Sequence, residues 1–197
     1  MRKLSYYVGL SLDGRIAGPG GEYDFYPFGD AEQTAAYLSG TNALYPDTVP
    51  TAMRADFGLT DVPNRRYDTV LMGLGTYRPA LDAGIGSPYA HLRQYVVSSS
   101  LDPATAHPDI TVVSGEPLAL VRELKQEESE LGIWLCGGGK LAGQLLPEID
   151  ELVIKSYPVV AGAGIPAFDG EFDPTLFEAA ERTAFTNGVT LTRFTRR

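Results

Sequence analysis

The sequence predicts a single α/β domain: a mixed, mostly parallel sheet with helices on both faces and an antiparallel hairpin at the C-terminal end. Three observations carry that prediction. Runs rich in β-branched and aromatic residues alternate with helical or irregular segments along the 197 residues, the pattern that builds a parallel sheet with covered faces. Three of those runs stop in small-residue clusters, "MGLGT", "VVSSS" and "CGGGK", so several strands turn abruptly at the same relative place. Near the end, Asn187-Gly188 separates two strand-like segments and signals a hairpin.

The elements follow in chain order. "LSYYVGLSL" is the first strand. Asp30 followed by Gln33 has the form of a capping box, which predicts a helix over "DAEQTAAYLSG" closing at Gly40. "DTVLMG" is a strand, and Thr76 is placed to cap the helix that "YRPAL" begins. "RQYVVSS" and "ITVVSG" are further strands. "EPLALVRELKQEESELG" is a helix whose Leu118, Val121, Leu124 and Leu131 recur at near-helical spacing. "IWLCGG" and "ELVIKSYPVV" are strands flanking a helix that starts near Lys140. In the C-terminal hairpin Asn187-Gly188 fits a type I′ turn, with Val189, Leu191 and Phe194 interleaved with polar residues. "GPGGEYDFYPFG" and "GAGIPAFDGEFDP" are Gly/Pro-rich loops too short to separate domains. One domain, residues 1–197, is therefore expected.

Composition narrows the function. A hydrophobic fraction of 44% with 21% charged residues is that of a soluble globular protein. No apolar run reaches the roughly 20 residues of a membrane span. The opening "MRKLSYYVGLSLDG" puts basic residues before an apolar stretch. Ser5 and Ser11 interrupt it and no small-residue cleavage site follows, so it reads as a strand and not as a secretion signal. One cysteine and two histidines, Cys136, His91 and His107, make neither a disulfide nor a metal cluster. A cytoplasmic protein without a metal is expected. The net charge of −9 opposes binding to nucleic acid, whose partners are basic. A local cationic or amide-lined pocket for a small anionic cofactor is compatible with it.

The triple glycine admits three readings. Gly137, Gly139 and Ala142 match the G-x-G-x-x-A form of a dinucleotide fingerprint, but the acidic residue expected about 20 positions later is absent from "VIKSYPVV". Gly139-Lys140 lacks the Ser or Thr that a P-loop needs next, because Leu141 stands there. The third reading is a short turn whose bare amides, at the positive end of a helix, face a diphosphate. Glycines at strand-to-helix turns also occur simply because the chain must bend. "MGLGTY" and "VVSSS" repeat the arrangement, and open α/β sheets place ligands just outside the carboxyl ends of their strands. Three strand ends thus aim donors at one edge.

These motifs, in this order and together with "GLSLDGRIAG" and "LPEIDELVIKSYPVVAGAGIPAF", resemble the dihydrofolate-reductase-like superfamily. The similarity runs from Lys3 to Arg193 and is greatest to the branch holding the reductase domain of bifunctional riboflavin-biosynthesis deaminase-reductases. It implies a three-layer dihydrofolate-reductase-like fold, NADPH as cofactor, hydride transfer to a C=N or C=O of a pterin- or pyrimidine-like heterocycle, and a homodimer. By position, it implies that Val8, Gly9, Ile16 and Ala17 flank the nicotinamide and that residues 12–21 form a mobile loop over the site. Gly73, Gly75, Thr76 and Tyr77 would bind the adenosine and diphosphate half, and Ser98 and Ser99 the ribose 2′-phosphate. Cys136, Gly137, Gly138, Gly139, Lys140 and Leu141 would hold the diphosphate, with Cys136 also reading as a small buried hydrophobe.

This chain departs from dihydrofolate reductases at several positions. Leu74 and Gly75 stand where a basic residue pairs with the 2′-phosphate, and Lys140 or Arg78 would have to replace it. Ala142 stands where an aromatic residue is usual, and Lys155 where a Thr is. The acid that holds the pterin would be Asp24, Asp30 or Glu32, although Asp30 is also a helix cap. Asp13 and Asp30 are the candidate catalytic carboxylates, with Asp13-Gly14 also readable as a plain turn. Asp24, Arg54 and Lys155 are the candidate substrate ligands. Dihydrofolate is disfavoured as the substrate. The alternatives are a nucleotide-binding protein of the same fold without turnover and a doubly wound dehydrogenase.

Overall fold

Leu4, Tyr6 and Val8 point to one face of the first strand and Tyr7 to the other, and none is more than 7% exposed. A strand buried on both faces belongs inside a sheet. The computed structural model, which describes residues 1–197, places β1 (Leu4–Leu10) in the interior of eight strands. To one side lie β6 (Gly132–Gly137), β3 (Tyr67–Gly73), β4 (Arg93–Val97) and β5 (Ile110–Val113), all parallel. To the other lies β7 (Glu151–Ser156), parallel to β1, then β10 (Thr190–Arg196) and β9 (Phe177–Ala184), both joined antiparallel. A separate two-stranded ribbon pairs β2 (Arg15–Ala17) with β8 (Ile165–Pro166).

Period-two alternation along these strands divides the core. Leu4, Tyr6, Val8, Leu71, Ile133 and Leu135 face α3 (Pro117–Gln126) and α4 (Gly139–Leu145), burying Val121, Leu124, Leu141 and Leu145. Tyr7, Val70, Met72 and Trp134 point to the opposite face, where α2 (Leu74–Asp82) contributes Tyr77 and the residue capping the end of α1 (Ala31–Leu44) is Tyr45. The result is three layers, as expected, and the antiparallel pair sets aside the purely parallel sheet of a doubly wound dehydrogenase.

Four local expectations are corrected. The Asp30–Gln33 capping box forms, but α1 runs through Gly40 to Leu44. Gly40 serves close packing instead: a Cβ there would lie 2.7 Å from Phe185 Cε1. Helix α3 stops at Gln126, so Leu131 is outside it. Helix α2 begins at Leu74 with Gly73 as its cap, which leaves Thr76 inside the first turn and not at the cap. The hairpin turn is not type I′, since only Gly188 has positive φ (85°). Phe185 donates to Val189 O at 2.9 Å around a three-residue loop, the type I turn with a left-handed glycine.

Candidate active site

Because six strands run parallel, their carboxyl ends meet at one edge, and the turns that leave them line one open cleft of about 2540 Å³. That is several times the roughly 300–1,000 Å³ of a pocket for one small ligand. The space accommodates two molecules side by side.

Three turns form one wall. Gly73, Gly75 and Thr76 follow β3, Ser98 and Ser99 follow β4, and Cys136 to Leu141 end β6 and open α4. The Gly137–Gly138 peptide is cis. The Thr76 hydroxyl lies 3.3 Å from where a Cβ would sit on Gly137, and Ile16 Cδ1 lies 4.0 Å from that position on Gly138. The β2–β8 ribbon carries Ile16 and Ala17 to the glycine turn, next to Val8 and Gly9 at the end of β1. A Cβ on Gly75 would meet nothing within 4 Å, so its backbone faces open space. Gly139 is different, because a Cβ there would collide with the Pro166 carbonyl. Its amide face is secondary to letting residues 165–167 close on α4.

The other wall is aromatic, and sequence reasoning missed most of it. Tyr7, Tyr26, Tyr37, Tyr157 and Trp134 line the cleft there. The Tyr37 and Tyr157 hydroxyls are 2.6 Å apart, and Tyr26 stacks on Tyr157 at 4.4 Å while donating to Gly9 O and Arg15 O. Burial pushes the Tyr26 phenol up to about 12, so it is a neutral donor at physiological pH. These tyrosines come from β1, the 18–29 loop, α1 and the residue after β7, positions no local pattern links. Lys155 and Asp24 reach the same cleft.

Four predicted site residues do not. Asp13 accepts from the Ser11 hydroxyl at 2.7 Å and from the Ala161 and Gly162 amides at 2.9 Å each. These bonds, Ser11 first, hold its carboxyl down at about 2, so it is an anionic strut between loops. Asp30 is spent on its capping box. Arg54 is 5% exposed and donates to Pro46 O and Val62 O. Tyr77 is fully buried, with its hydroxyl on Gly86 O at 2.6 Å. Ser98 lines the cleft, but its oxygen already accepts from the Ser100 and Leu101 amides. Cys136 also lines the cleft, and burial lifts its thiol to about 12, so it is not a thiolate.

The lining of the cleft is balanced in formal charge, unlike the molecule as a whole. Arg78, Lys140 and Lys155 line it, and none is in an ion pair. Away from it, Arg2, Lys3, Arg93, Arg122, Lys125 and Arg193 are paired, whereas Arg54, Arg65, Arg66, Arg182 and Arg196 are not. Three carboxylates, Asp24, Glu116 and Asp169, line the cleft as well.

The family model of the RibD C-terminal domain matches residues 2–191. The chain belongs to that family. YwjB of Bacillus subtilis strain 168, an uncharacterised protein, is 31% identical to this RibD C-terminal domain protein over 169 residues, 85% of this chain and 83% of its own. A solved protein from Shewanella sp. PV-4, assigned to riboflavin biosynthesis, superposes on the whole chain with a TM-score of 0.68 at 22% identity, over 99% of its length. The diaminohydroxyphosphoribosylaminopyrimidine deaminase/5-amino-6-(5-phosphoribosylamino)uracil reductase of Thermotoga maritima does so with a TM-score of 0.62 at 14% identity, and there this chain spans 57% of the neighbour. The fold is the dihydrofolate-reductase-like fold of those RibD neighbours.

Proposed function

We propose that this RibD-family protein is an NADPH-dependent reductase of the riboflavin-biosynthesis-reductase type, passing hydride to a C=N or C=O of a pyrimidine- or pterin-like heterocycle. The observation that carries the proposal is the two-ended cleft. One end has bare glycine amides and the unpaired Arg78 and Lys140, and the other has aromatic walls and Lys155. A dinucleotide needs the first, a planar ring the second.

The residues present fit the cofactor. Gly73, Gly75, Thr76 and Gly137 to Leu141 would hold its diphosphate. Arg78 and Ser99, which both line the cleft, would take a 2′-phosphate, since Ser98 is engaged. Val8, Gly9, Ile16 and Ala17 would flank the nicotinamide. When bound, NADPH supplies a hydride whose acceptor takes a proton from water. The protein aligns donor with acceptor and keeps solvent from the reacting faces. Tyr26, bonded to the backbone of both β1 and β2, fixes the 18–29 loop over that junction. We further propose that the enzyme acts as a cytoplasmic homodimer, because β9 ends the sheet with an open edge exposed from Glu178 to Ala184. Sedimentation velocity will return the mass of two chains. A monomer at micromolar concentration would remove that part.

Titration with NADPH, followed by quenching of Trp134, tests the main reading. Saturable binding below millimolar cofactor is expected, and its absence sinks the proposal. The second reading, a nucleotide-binding protein without turnover, is favoured by Ala142 and Lys155 standing where dihydrofolate reductases carry an aromatic residue and a Thr. It predicts binding with no loss of the cofactor's near-ultraviolet absorbance on any heterocycle.

A further inference from the structure

Lys155 lines the cleft and has no anionic partner. It sits on β7 opposite Gly9 of β1, and its Nζ rests 4.5 Å from the centroid of the Tyr7 ring. That ring is 6% exposed and packed edge-on against Trp134, so it is a rigid support. A Cβ on Gly9 would lie 3.0 Å from Tyr157 and 4.0 Å from Lys155 Cε. The missing side chain at position 9 is what lets both residues lie over the strand end. An aromatic face steadies an ammonium without neutralising it, leaving its remaining protons directed at whatever enters. The other charged group lining this end is Asp24, on an exposed loop position, and no carboxylate is held against Lys155.

A ring that needs a buried carboxylate, such as a protonated 2,4-diamino heterocycle, therefore meets a cation here and is repelled. A ring that offers an oxygen with partial or full negative charge is attracted. We propose that Lys155, seated on Tyr7, is the specificity-determining residue of the substrate end, selecting planar heterocycles that present an imide or enolate oxygen over cationic aminopyrimidines. The proposal rests on the reductase reading of the cleft.

Three ring probes of similar size test it on the NADPH-loaded protein by calorimetry: barbiturate, an anion at neutral pH, uracil, which is neutral, and 2,4-diaminopyrimidine, which takes up a proton. Wild-type protein binds barbiturate most tightly and diaminopyrimidine least. Lys155→Gln lowers barbiturate affinity about tenfold, the size of one charge-assisted hydrogen bond, and leaves uracil affinity within about threefold. Lys155→Arg keeps the order of the wild type. Should Lys155→Gln fail to fold, raising the salt concentration weakens barbiturate and not uracil in the wild-type protein.

Barbiturate affinity unchanged by Lys155→Gln overturns the proposal. So does a salt-independent affinity, a preference for diaminopyrimidine, or no barbiturate binding by protein that has taken up NADPH. Barbiturate binding that depends on Lys155 in protein that refuses NADPH refutes the reductase reading alone.

Discussion

Asp13, drawn from a turn that sequence offers as catalytic, closes a loop with three hydrogen bonds, while Arg78, offered by sequence only as a stand-in for a missing basic residue, faces the cleft unpaired. Single side chains are where sequence reading is weakest, because a role depends on neighbours distant in the chain. Arg78→Met is expected to weaken NADPH binding about tenfold and NADH binding hardly at all, the cost of one charged hydrogen bond to a phosphate. Paired calorimetric titrations with the two cofactors check it. His91, which forms no metal cluster, is bound at both nitrogens, by Thr51 Oγ1 at 2.7 Å and Asp47 O at 2.9 Å. Burial holds its pKa below the ordinary 6.5, so the folded chain prefers the neutral ring. The associated stability is complete above that ordinary value and is lost as pH falls through the lower, folded one. Thermal melts between pH 7 and 5 will show a falling midpoint, and His91→Gln will flatten that slope. An equal slope in the variant would mean that other groups carry it.

Elements were the most legible scale. The capping box, the strand runs and the hairpin all appear where local chemistry puts them, because caps, periodicity and turn residues act within a few positions. Boundaries moved where tertiary contact intervened, as at Gly40, which packs under Phe185 instead of ending α1. The glycine turns show the same limit, since sequence treats their glycines alike and the structure separates them. Gly139→Ala is expected to cost about 1–3 kcal/mol by forcing residues 165–167 off α4, seen in urea denaturation. Gly75→Leu, whose side chain enters open cleft, is expected to leave stability within about 0.5 kcal/mol while weakening NADPH. A stable Gly139→Ala, or a Gly75→Leu that binds as well as wild type, contradicts the respective assignment.

For the whole molecule, a net charge of −9 coexists with three unpaired cations in the one large cleft. The global charge disfavours polyanions, while three cations and three carboxylates share the cleft, so a small anion is held only where a cation stands close to it. Two faces of one sheet support the arrangement differently. The α3–α4 face is mainly aliphatic, with Tyr6 its one fully buried aromatic residue, whereas the Tyr-rich face runs from the core into the cleft wall. No helix is long and apolar enough to cross a membrane.

The sequence by itself determined the three-layer α/β architecture, the C-terminal hairpin, the three small-residue strand ends and the family to which they belong. Each of these is written in local periodicity, in turn chemistry or in the order of short motifs. Only the tertiary structure decided which polar residues face the cleft. It moved Asp13, Asp30, Arg54 and Tyr77 into structural roles, and it assembled the wall of Tyr7, Tyr26, Tyr37, Tyr157 and Trp134 from five separate parts of the chain. It also left Lys155 resting on Tyr7 without a counter-ion. Which way a side chain turns depends on strand register and on packing between residues up to about 150 positions apart, as for Tyr7 and Lys155. A pattern spanning a few residues carries no record of that.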